Sequence, residues 1–351
     1  MQSEFEREAV KQLREVLSEP FDDLAIQLSP KGPDSDREID LVAESKGIRF
    51  AVELKKEGTI AQVAGAIEGL KHYKPRVSED LVRLVVVPFM TPAAKELCRK
   101  EGVSWLDLSG NAHLKGPGVF IHIEGNPNRF TRRGRPSNLF APKSSRVVRR
   151  LLMDPHKWSS HSDLVEATGI STGLVSRVLQ QLKQESLILR DDAGRAKVSN
   201  PNLLLEAWYE AYDFKRHTIV VGHVAERTSQ AVLKRLSEAF TANDLRHAAT
   251  GLAGAWLLTQ FASFRTVTMY VEHAPSPESL REIGFSEQAK GGNVWLVVPN
   301  DESVFEGAAV RSDEWCAHPI QVYLDLKAHP ERAKEAAEML RKHYLDWRAD
   351  V

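Results

Sequence analysis

Two short apolar segments joined by a tight turn constrain the fold of this chain most strongly. The segments DLVAE and IRFAVELK flank Ser45-Lys46-Gly47, and a glycine at such a reversal is typical of a β-hairpin. Successive residues of a strand point to opposite faces of a sheet, so Glu53 and Lys55 share one face of the second strand. Asp40 begins the first strand. We therefore expect the hairpin to bring Asp40, Glu53 and Lys55 together.

These three side chains suit a metal-dependent reaction on a phosphodiester. Carboxylate oxygens are the hard ligands that Mg²⁺ prefers, and a neighbouring lysine can stabilise the charge that develops on phosphate oxygens. A Glu-x-Lys pair on a strand is also common on a solvated face. Here the strand is otherwise apolar, and a polar residue in apolar surroundings lowers the stability of the fold unless it is paired or has a function. That context favours a functional site.

Helix-like and strand-like segments alternate through the first 126 residues. Apolar residues recur at helical spacing in FEREAVKQL and again between residues 61 and 71, and PAAKELCRKEG is predicted to be a helix that ends at Gly102. LVRLVVVPF and VSWLDL are predicted strands. The alternation predicts an α/β domain with a mixed sheet and flanking helices. In WLDLSGNAHL, which contains Asp107, we expect a strand followed by a Ser-Gly-Asn turn.

The N-terminal segments FEREAVKQL and IDLVAESKGIRFAVELKK resemble the PD-(D/E)xK nuclease superfamily, most closely the archaeal Holliday junction resolvases. The resemblance covers roughly residues 3–75 and implies a restriction-endonuclease-like α/β/α domain. Ile39 stands where the superfamily motif has proline. The resemblance implies that Asp40 and Glu53 are metal ligands for Mg²⁺ or Mn²⁺. Its full set of implied catalytic residues is Glu6, Asp40, Glu53, Lys55 and Gln62.

A basic stretch follows this domain. Between Arg129 and Arg150 there are eight Lys and Arg residues and no Asp or Glu, although the whole chain has a net charge of only −1. Residues 127–143 are rich in Pro, Gly, Asn and Arg and are predicted to be a basic linker. A polyanionic partner is therefore expected in this part of the chain. If about six cations neutralise phosphates, DNA affinity should fall with salt with a log–log slope on the order of −5.

Residues 144–200 have the layout of a winged helix-turn-helix. Thr168-Gly169-Ile170 is predicted to be the turn, Ser171 to cap a second helix, and residues 187–198 to form a two-stranded wing. The polar face of the second helix can reach phosphates and base edges in a major groove. The predicted DNA-binding residues of the linker, helix and wing are Arg132, Arg133, Arg135, Arg146, Ser171, Thr172, Ser176, Arg177, Gln180, Lys183, Arg195 and Lys197.

Residues 201–351 are predicted to form a C-terminal α/β domain, with helices in AVLKRLSEAF and ERAKEAAEMLRKHYLDW and strands in TVTMYVE, VWLVVP and IQVYLDL. The segments Ala249–Ala255 and Pro319–Leu340, behind a winged helix, resemble AbiEi-family antitoxins of type IV toxin–antitoxin systems. That resemblance implies repression of the protein's own operon and a nucleotidyltransferase-like toxin as partner. A dimerisation or scaffold role for this domain is an equal alternative.

The fold class predicted for the whole chain is thus α/β multidomain, with boundaries at 1–126, 127–143, 144–200 and 201–351. Two cysteines that are far apart provide no disulfide framework, and no apolar run has the length of a membrane span. We therefore expect a cytoplasmic protein that has no membrane partner. The start of the chain lacks the pattern of a signal peptide.

Two functions follow from these features, and the sequence leaves both open. The first is a Mg²⁺-dependent DNA endonuclease that the winged helix targets to double-stranded or branched DNA. The second is a non-catalytic transcriptional regulator or antitoxin that represses its own operon. In this case the nuclease-like domain only binds DNA. A subunit of a defence system, whose C-terminal domain recruits another protein, is a third and weaker possibility. A homodimer is compatible with each.

Overall fold

The structure is a computed structural model that describes residues 4–17, 21, 23–28, 39–73, 80–130, 139–261, 263–288, 291–330 and 332–347. The chain divides into two compact units, which we call the N-terminal unit (residues 1–137 and 182–187) and the C-terminal unit (residues 138–181 and 188–351). Within the described ranges, no helix is long and apolar enough to cross a membrane.

The N-terminal unit is an α/β fold around one seven-stranded sheet, in which the strands lie side by side in chain order. β3 pairs in parallel with β4, and β4 with β5, whereas the other neighbours are antiparallel. A parallel pair needs a crossover connection, which α2 and α3 supply. The elements are α1 (Glu4–Leu17), β1 (Ala25–Leu28), β2 (Leu41–Ser45), β3 (Ile48–Leu54), α2 (Ile60–His72), β4 (Asp80–Val87), α3 (Pro92–Glu101), β5 (Ser104–Asp107), β6 (Ala112–Gly116) and β7 (Val119–Ile123).

Helices cover both faces of this sheet. Leu13 of α1 belongs to a core cluster that contains Phe50 and Val52 of β3. Ala51 of β3 belongs to a separate cluster, which contains the apolar residues of α2 and α3 such as Ile67. Because successive side chains of β3 alternate between the two faces, Glu53 and Lys55 lie on the face that α2 covers. The predicted mixed sheet with flanking helices is confirmed.

The predicted β-hairpin is also confirmed. β2 and β3 are antiparallel, with Ser45 opposite Ile48 at the turn. The two residues between them, Lys46 and Gly47, have φ of 50° and 80°. Positive φ at both central residues is the geometry of two-residue hairpin turns whose twist matches that of the strands, and it favours glycine. The turn fixes the register, so that Leu41 lies opposite Val52.

The segment predicted to be a winged helix lies in the first half of the C-terminal unit, apart from residues 182–187. A capping box starts the helix His161–Thr168. The Ser160 hydroxyl accepts from the N–H of Asp163, and the Asp163 carboxylate accepts from the N–H of Ser160. Gly169, with φ of 63°, ends that helix. The strands of the wing pair as predicted, with Ile188 opposite Val198. The elements are α4 (Pro142–Met153), α5 (His161–Thr168), α6 (Thr172–Gln184), β8 (Ile188–Arg190) and β9 (Ala196–Val198).

The second half of the C-terminal unit is built on a mixed seven-stranded sheet of order β13-β10-β14-β12-β11-β16-β15. The predicted helices AVLKRLSEAF and ERAKEAAEMLRKHYLDW correspond to α8 and α12, and the strands TVTMYVE and VWLVVP to β12 and β14. The elements are α7 (Pro201–Ala211), β10 (Thr218–His223), α8 (Ser229–Ala242), β11 (His247–Thr250), α9 (Gly251–Thr259), β12 (Val267–Val271), α10 (Pro277–Glu282), β13 (Ser286–Glu287), β14 (Val294–Val298), β15 (Ala309–Arg311), β16 (Glu314–Cys316), α11 (Pro319–Leu326) and α12 (Ala333–Tyr344).

The prediction of a strand in IQVYLDL is wrong, because this segment forms the helix α11. Every residue from Ile320 to Leu326 is buried, so the helix lacks the exposed polar side that gives a surface helix its period. Periodicity alone does not separate such a buried helix from a buried strand. The signals that do mark it are Pro319 in its first turn and His318 as its cap, since the Nδ1 atom of His318 accepts from the N–H of Ile320.

Candidate functional site

The N-terminal unit brings Asp40, Glu53 and Lys55 together, and we call these three residues the carboxylate–lysine cluster. Asp40 directly precedes β2, and the hairpin register places it beside the end of β3. Its Oδ2 atom accepts a hydrogen bond of 2.8 Å from the N–H of Leu54. The Nζ atom of Lys55 donates to Oε2 of Glu53 over 2.5 Å. The predicted proximity of the three side chains is thus observed.

Glu53 is the buried member of the cluster, with 8% of its surface exposed. Burial raises the pKa of Glu53, because a carboxylate loses its hydration inside the protein; Lys55 lowers this pKa, and the nearby Asp40 carboxyl raises it again. α2 closes the site at Gly69, where an added Cβ atom would be 3.1 Å from Oε1 of Glu53. Two carboxyl groups and one lysine therefore lie close together at a site that is at least half-buried.

The chemistry of this donor set fits a divalent cation with few protein ligands. Mg²⁺ is commonly held by one or two carboxylates together with water and phosphate oxygens, and Asp40 and Glu53 supply two. One oxygen of Asp40 already accepts a hydrogen bond from the N–H of Leu54, and one oxygen of Glu53 accepts one from Lys55. In the part of the chain that the structure describes, no group of three or more His, Cys, Asp or Glu residues could hold a metal ion. The remaining ligands would have to come from solvent or substrate.

Glu6 and Gln62, the other two predicted catalytic residues, are half-buried and lie on different helices. Glu6 is in the first turn of α1, whose apolar residues pack on the face of the sheet opposite α2. Gln62 is on α2, and residues seven apart on a helix share a face, so Gln62 lies on the same side of α2 as Gly69. Their participation in the cluster stays a prediction.

Asp107 is occupied by the turn in which it lies. It is fully buried, and its Oδ1 atom accepts from the N–H groups of Ser109 and Asn111 while Oδ2 accepts from the N–H of Met90. The amide of Asn111 donates to the same carboxylate. Such a fully hydrogen-bonded carboxylate stabilises the turn, which agrees with the predicted strand and Ser-Gly-Asn turn.

The second candidate site is the polar face of α6. Val175 and Val178 are buried, whereas the predicted DNA-contacting residues of this helix are all exposed. The Nε atom of exposed Arg177 donates to the carbonyl oxygen of Gly173 in its own helix, at 3.4 Å. The helix therefore presents a continuous row of hydroxyl, amide and cationic groups to solvent. We call this row the recognition face; it consists of Ser171, Thr172, Ser176, Arg177, Gln180 and Lys183.

The two predicted cations of the wing, Arg195 and Lys197, both contact other residues of the protein. The Nε atom of exposed Arg195 donates to Oδ2 of Asp191 over 2.7 Å, in the turn between β8 and β9. The Nζ atom of Lys197 lies 4.8 Å from the centre of the Trp158 ring, a cation–π distance. Both side chains sit on the wing as expected, and Asp191 partly neutralises the charge of Arg195.

Two arginines of the basic stretch have partners inside the protein. Arg132, Arg133 and Arg135 lie outside the described residues. Arg146 is only 18% exposed, and its guanidinium forms two hydrogen bonds of 2.9 Å with the carboxylate of Asp301. Arg149 is buried. No local pattern predicts the pairing of Arg146, because Asp301 lies 155 residues from it along the chain.

Comparison with known proteins identifies a family for the C-terminal region. Residues 197–346 match the family model AbiEi_2, described as "Transcriptional regulator, AbiEi antitoxin, Type IV TA system". This match confirms the resemblance to AbiEi-family antitoxins for that region. None of the curated proteins compared with the chain matches it.

Solved structures show a distant similarity over about the N-terminal third of the chain. A repair endonuclease from Pyrococcus abyssi is 21% identical, with a TM-score of 0.25, over 30% of this chain and 48% of its own. The EndoMS protein in an EndoMS–dsDNA complex is 19% identical, with a TM-score of 0.22, over 30% of this chain and 46% of its own. The chain thus spans about half the length of these two proteins.

Proposed function

We propose that the protein is a DNA-binding transcriptional regulator of the antitoxin type, whose winged helix binds an operator. The observation that carries this proposal is the recognition face, six polar or cationic side chains exposed along one side of α6. The match of residues 197–346 to a family of transcriptional regulators and antitoxins supports it. We also propose that the C-terminal region binds a nucleotidyltransferase-like toxin.

In the proposed complex, α6 enters the major groove, which is wide enough for one helix. Ser171 and Thr172 lie at its N-terminus, where hydroxyl and backbone N–H groups bind phosphate. Arg177 and Gln180 lie in the next turns and have the side chains that form paired hydrogen bonds to guanine and adenine. Lys197 on the wing would contact the backbone, which orients the protein without reading sequence.

The test is a binding measurement with duplexes that the full-length protein enriches from a random DNA library. Fluorescence anisotropy should show that Arg177→Ala raises the Kd for the enriched duplex about tenfold or more, because one paired contact to a base contributes roughly 1–3 kcal/mol. The control is Lys234→Ala, an exposed cation on α8 that pairs with Glu238. Equal Kd values for wild type and Arg177→Ala would contradict the proposal.

A second function is favoured by the carboxylate–lysine cluster: hydrolysis of DNA phosphodiesters by a restriction-endonuclease-like domain. Asp40 and Glu53 would hold Mg²⁺ or Mn²⁺, which supplies an activated water and neutralises charge on the phosphate. Lys55 would leave Glu53 and stabilise the charge that develops on the phosphate oxygens. Glu6 and Gln62 would assist in positioning the water or the metal.

Cleavage of linear, supercoiled and four-way-junction DNA with Mg²⁺ or Mn²⁺ tests this second function. Lys55→Ala should abolish cutting, whereas Lys56→Ala, at the exposed neighbouring position, should cut like the wild type. If the wild type cuts none of these DNAs while it still binds them, the nuclease function is excluded and the regulator remains.

A further inference from the structure

A cavity in the C-terminal unit lies where several parts of the chain meet. The end of α4, the helix α9, the hairpin of β15 and β16 and the residues that follow α12 all line it, and each belongs to this one unit. Its volume is about 230 Å³. An apolar cavity of about 150 Å³ is large enough to bind benzene, so this cavity has room for one six-membered ring and one further small group.

Apolar side chains line one part of this cavity. Leu152 of α4, Leu258 of α9 and Leu345 directly after α12 belong to its wall, and all three are buried. Trp347 adds an aromatic ring to the same wall. Removing apolar surface from water stabilises a complex, so this part of the lining favours a ligand whose body is apolar.

The cationic residue of the cavity wall is Arg311, at the end of β15. Residues two apart on a strand share a face, and Ala309 lies opposite Cys316 in the hairpin. Arg311 is therefore on the same face as Ala309 and Cys316, which also line the cavity. Burial raises the pKa of the Cys316 thiol to about 12, while the charge of Arg311 lowers it. The guanidinium thus lies near enough to the inner wall to act on Cys316.

The charge of Arg311 is not neutralised by the protein. Arg311 is exposed, and its guanidinium forms no ion pair or hydrogen bond with any residue that the structure describes. Glu314 lies opposite it in the hairpin, but the carboxyl group of Glu314 forms its hydrogen bond with Ser237 of α8. Glu306 interacts with the arginines of α4 instead. Among the described lining residues there is no Asp or Glu, so charge complementarity favours an anionic ligand.

His318 provides a second hydrogen-bond donor in the cavity wall. Its Nδ1 atom accepts from the N–H of Ile320 over 3.3 Å, and burial lowers the pKa of His318 to about 4. The ring is therefore neutral near pH 7 and carries its proton on Nε2. No residue in the described ranges accepts a hydrogen bond from this N–H. The wall thus combines a cationic donor and a neutral donor with apolar side chains, which is the composition of small-molecule sites.

We propose that this cavity binds a small monocarboxylate whose apolar body has about the size of one phenyl ring. The body would lie among the three leucines, and the carboxylate would pair with Arg311, with His318 as a second donor. Arginine forms strong, charge-assisted hydrogen bonds to carboxylates. The ligand would be either an aromatic acid or a straight-chain acid of similar volume. Because α4 begins the winged-helix segment, the ligand would contact both this segment and the C-terminal α/β region. This site goes beyond the proposed DNA-binding function and does not depend on it.

The test is calorimetric titration of the full-length protein with sodium benzoate at constant ionic strength. We expect saturable binding of one benzoate per chain. Benzylamine, which has the same ring and a positive charge, should bind about tenfold more weakly or not at all, because it meets the charge of Arg311. A parallel titration with octanoate separates the two kinds of acid: a tenfold lower Kd than that of benzoate assigns the site to straight-chain acids, and no gain assigns it to aromatic acids.

Two pairs of variants locate the site. Arg311→Gln should raise the Kd for benzoate about tenfold or more, because it removes a charge-assisted contact. Arg281→Gln, which removes an exposed arginine paired with Glu278, should bind like the wild type.

Ala309→Leu places extra carbon atoms in the cavity and should also weaken binding, whereas Val310→Leu, on the other face of the same strand, should not. Thermal unfolding temperatures show that each variant is folded. The proposal is overturned if neither benzoate nor octanoate binds saturably, if benzylamine binds as tightly as benzoate, or if Arg311→Gln and Ala309→Leu bind like the wild type.

Discussion

At the scale of single residues, the surroundings of Glu53 decide what the carboxylate–lysine cluster can do. Its carboxyl group is buried, contacts Lys55 and is covered by α2 at Gly69. A larger residue at position 69 would occupy the space next to Oε1 of Glu53. Glycine in the middle of a helix costs stability relative to alanine, so its presence here is explained by the close approach of Glu53.

Two glycines of α2 provide a matched test of this explanation. A Cβ atom added at Gly65 meets no atom within 4 Å, whereas one added at Gly69 lies 3.1 Å from Oε1 of Glu53. Gly65→Ala should therefore increase the free energy of unfolding by about 1 kcal/mol. Gly69→Ala should give a smaller increase or a decrease, because Glu53 must move. Urea unfolding measures both, and equal gains would show that Gly69 is not constrained by Glu53.

A second residue, Asp325, predicts a pH dependence of stability. Thr250 and Tyr212 donate to its buried carboxylate, yet burial raises the pKa of Asp325 to about 6 from a usual value of 3.8. From pH 4 to 6 the folded protein retains a proton that the unfolded chain has lost. The contribution of Asp325 to stability therefore decreases as the pH rises through this window, by about 3 kcal/mol.

Comparison with Asp325→Asn isolates this contribution from other titrating groups. The difference in free energy of unfolding, wild type minus variant, should fall as the pH rises from 4 to 6 and then level off. Chemical unfolding at several pH values measures it. A difference that is constant with pH would show that the carboxyl of Asp325 titrates normally in the folded protein.

At the scale of elements, the segment that contains α5, α6, β8 and β9 depends on local signals in the sequence. Gly169 ends α5 in the left-handed region, Val175 and Val178 form the buried side of α6, and β8 and β9 pair as the two predicted strands. These features were predictable because each depends on residues a few positions apart. The same holds for the β2–β3 hairpin and for the proximity of Asp40, Glu53 and Lys55.

Ser160 at the start of α5 gives a prediction for this element. Its hydroxyl oxygen accepts from the N–H of Asp163 over 3.1 Å. Ser160→Ala should therefore lower the free energy of unfolding by about 1 kcal/mol, whereas Ser160→Asn, which keeps an acceptor oxygen at the cap, should change it by only a few tenths. Urea unfolding of the two variants measures this difference. Equal stabilities would mean that the cap does not support the helix.

Other elements could not be predicted because their determinants are distant in the chain. α11 is buried on all sides, which removes the periodic pattern that identifies a surface helix. The basic stretch was predicted to meet a polyanionic partner, but two of its arginines, Arg146 and Arg149, contact Asp301 and Gln321, more than 150 residues away. A run of like charges does not indicate which of its members fold inward.

At the scale of the whole molecule, the cations that remain available for DNA set its salt dependence. Each phosphate contact contributes about −0.9 to the slope of log affinity against log salt concentration. Lys183 is exposed on the recognition face, whereas Arg146 is paired with Asp301. Lys183→Ala should therefore reduce the steepness of the slope by about 1, and Arg146→Gln should leave it unchanged. Anisotropy titrations at several salt concentrations give these slopes; a loss of slope in Arg146→Gln would mean that its pairing with Asp301 opens on DNA.

The central claim is that this chain represses transcription through the winged helix, and a reporter gene behind the DNA upstream of the protein's own gene tests it most directly. The account predicts that the wild type, Lys55→Ala and Lys234→Ala lower reporter expression equally, and that Arg177→Ala restores expression. Repression that survives Arg177→Ala but is lost in Lys55→Ala, or an absence of repression by the wild type, would contradict it.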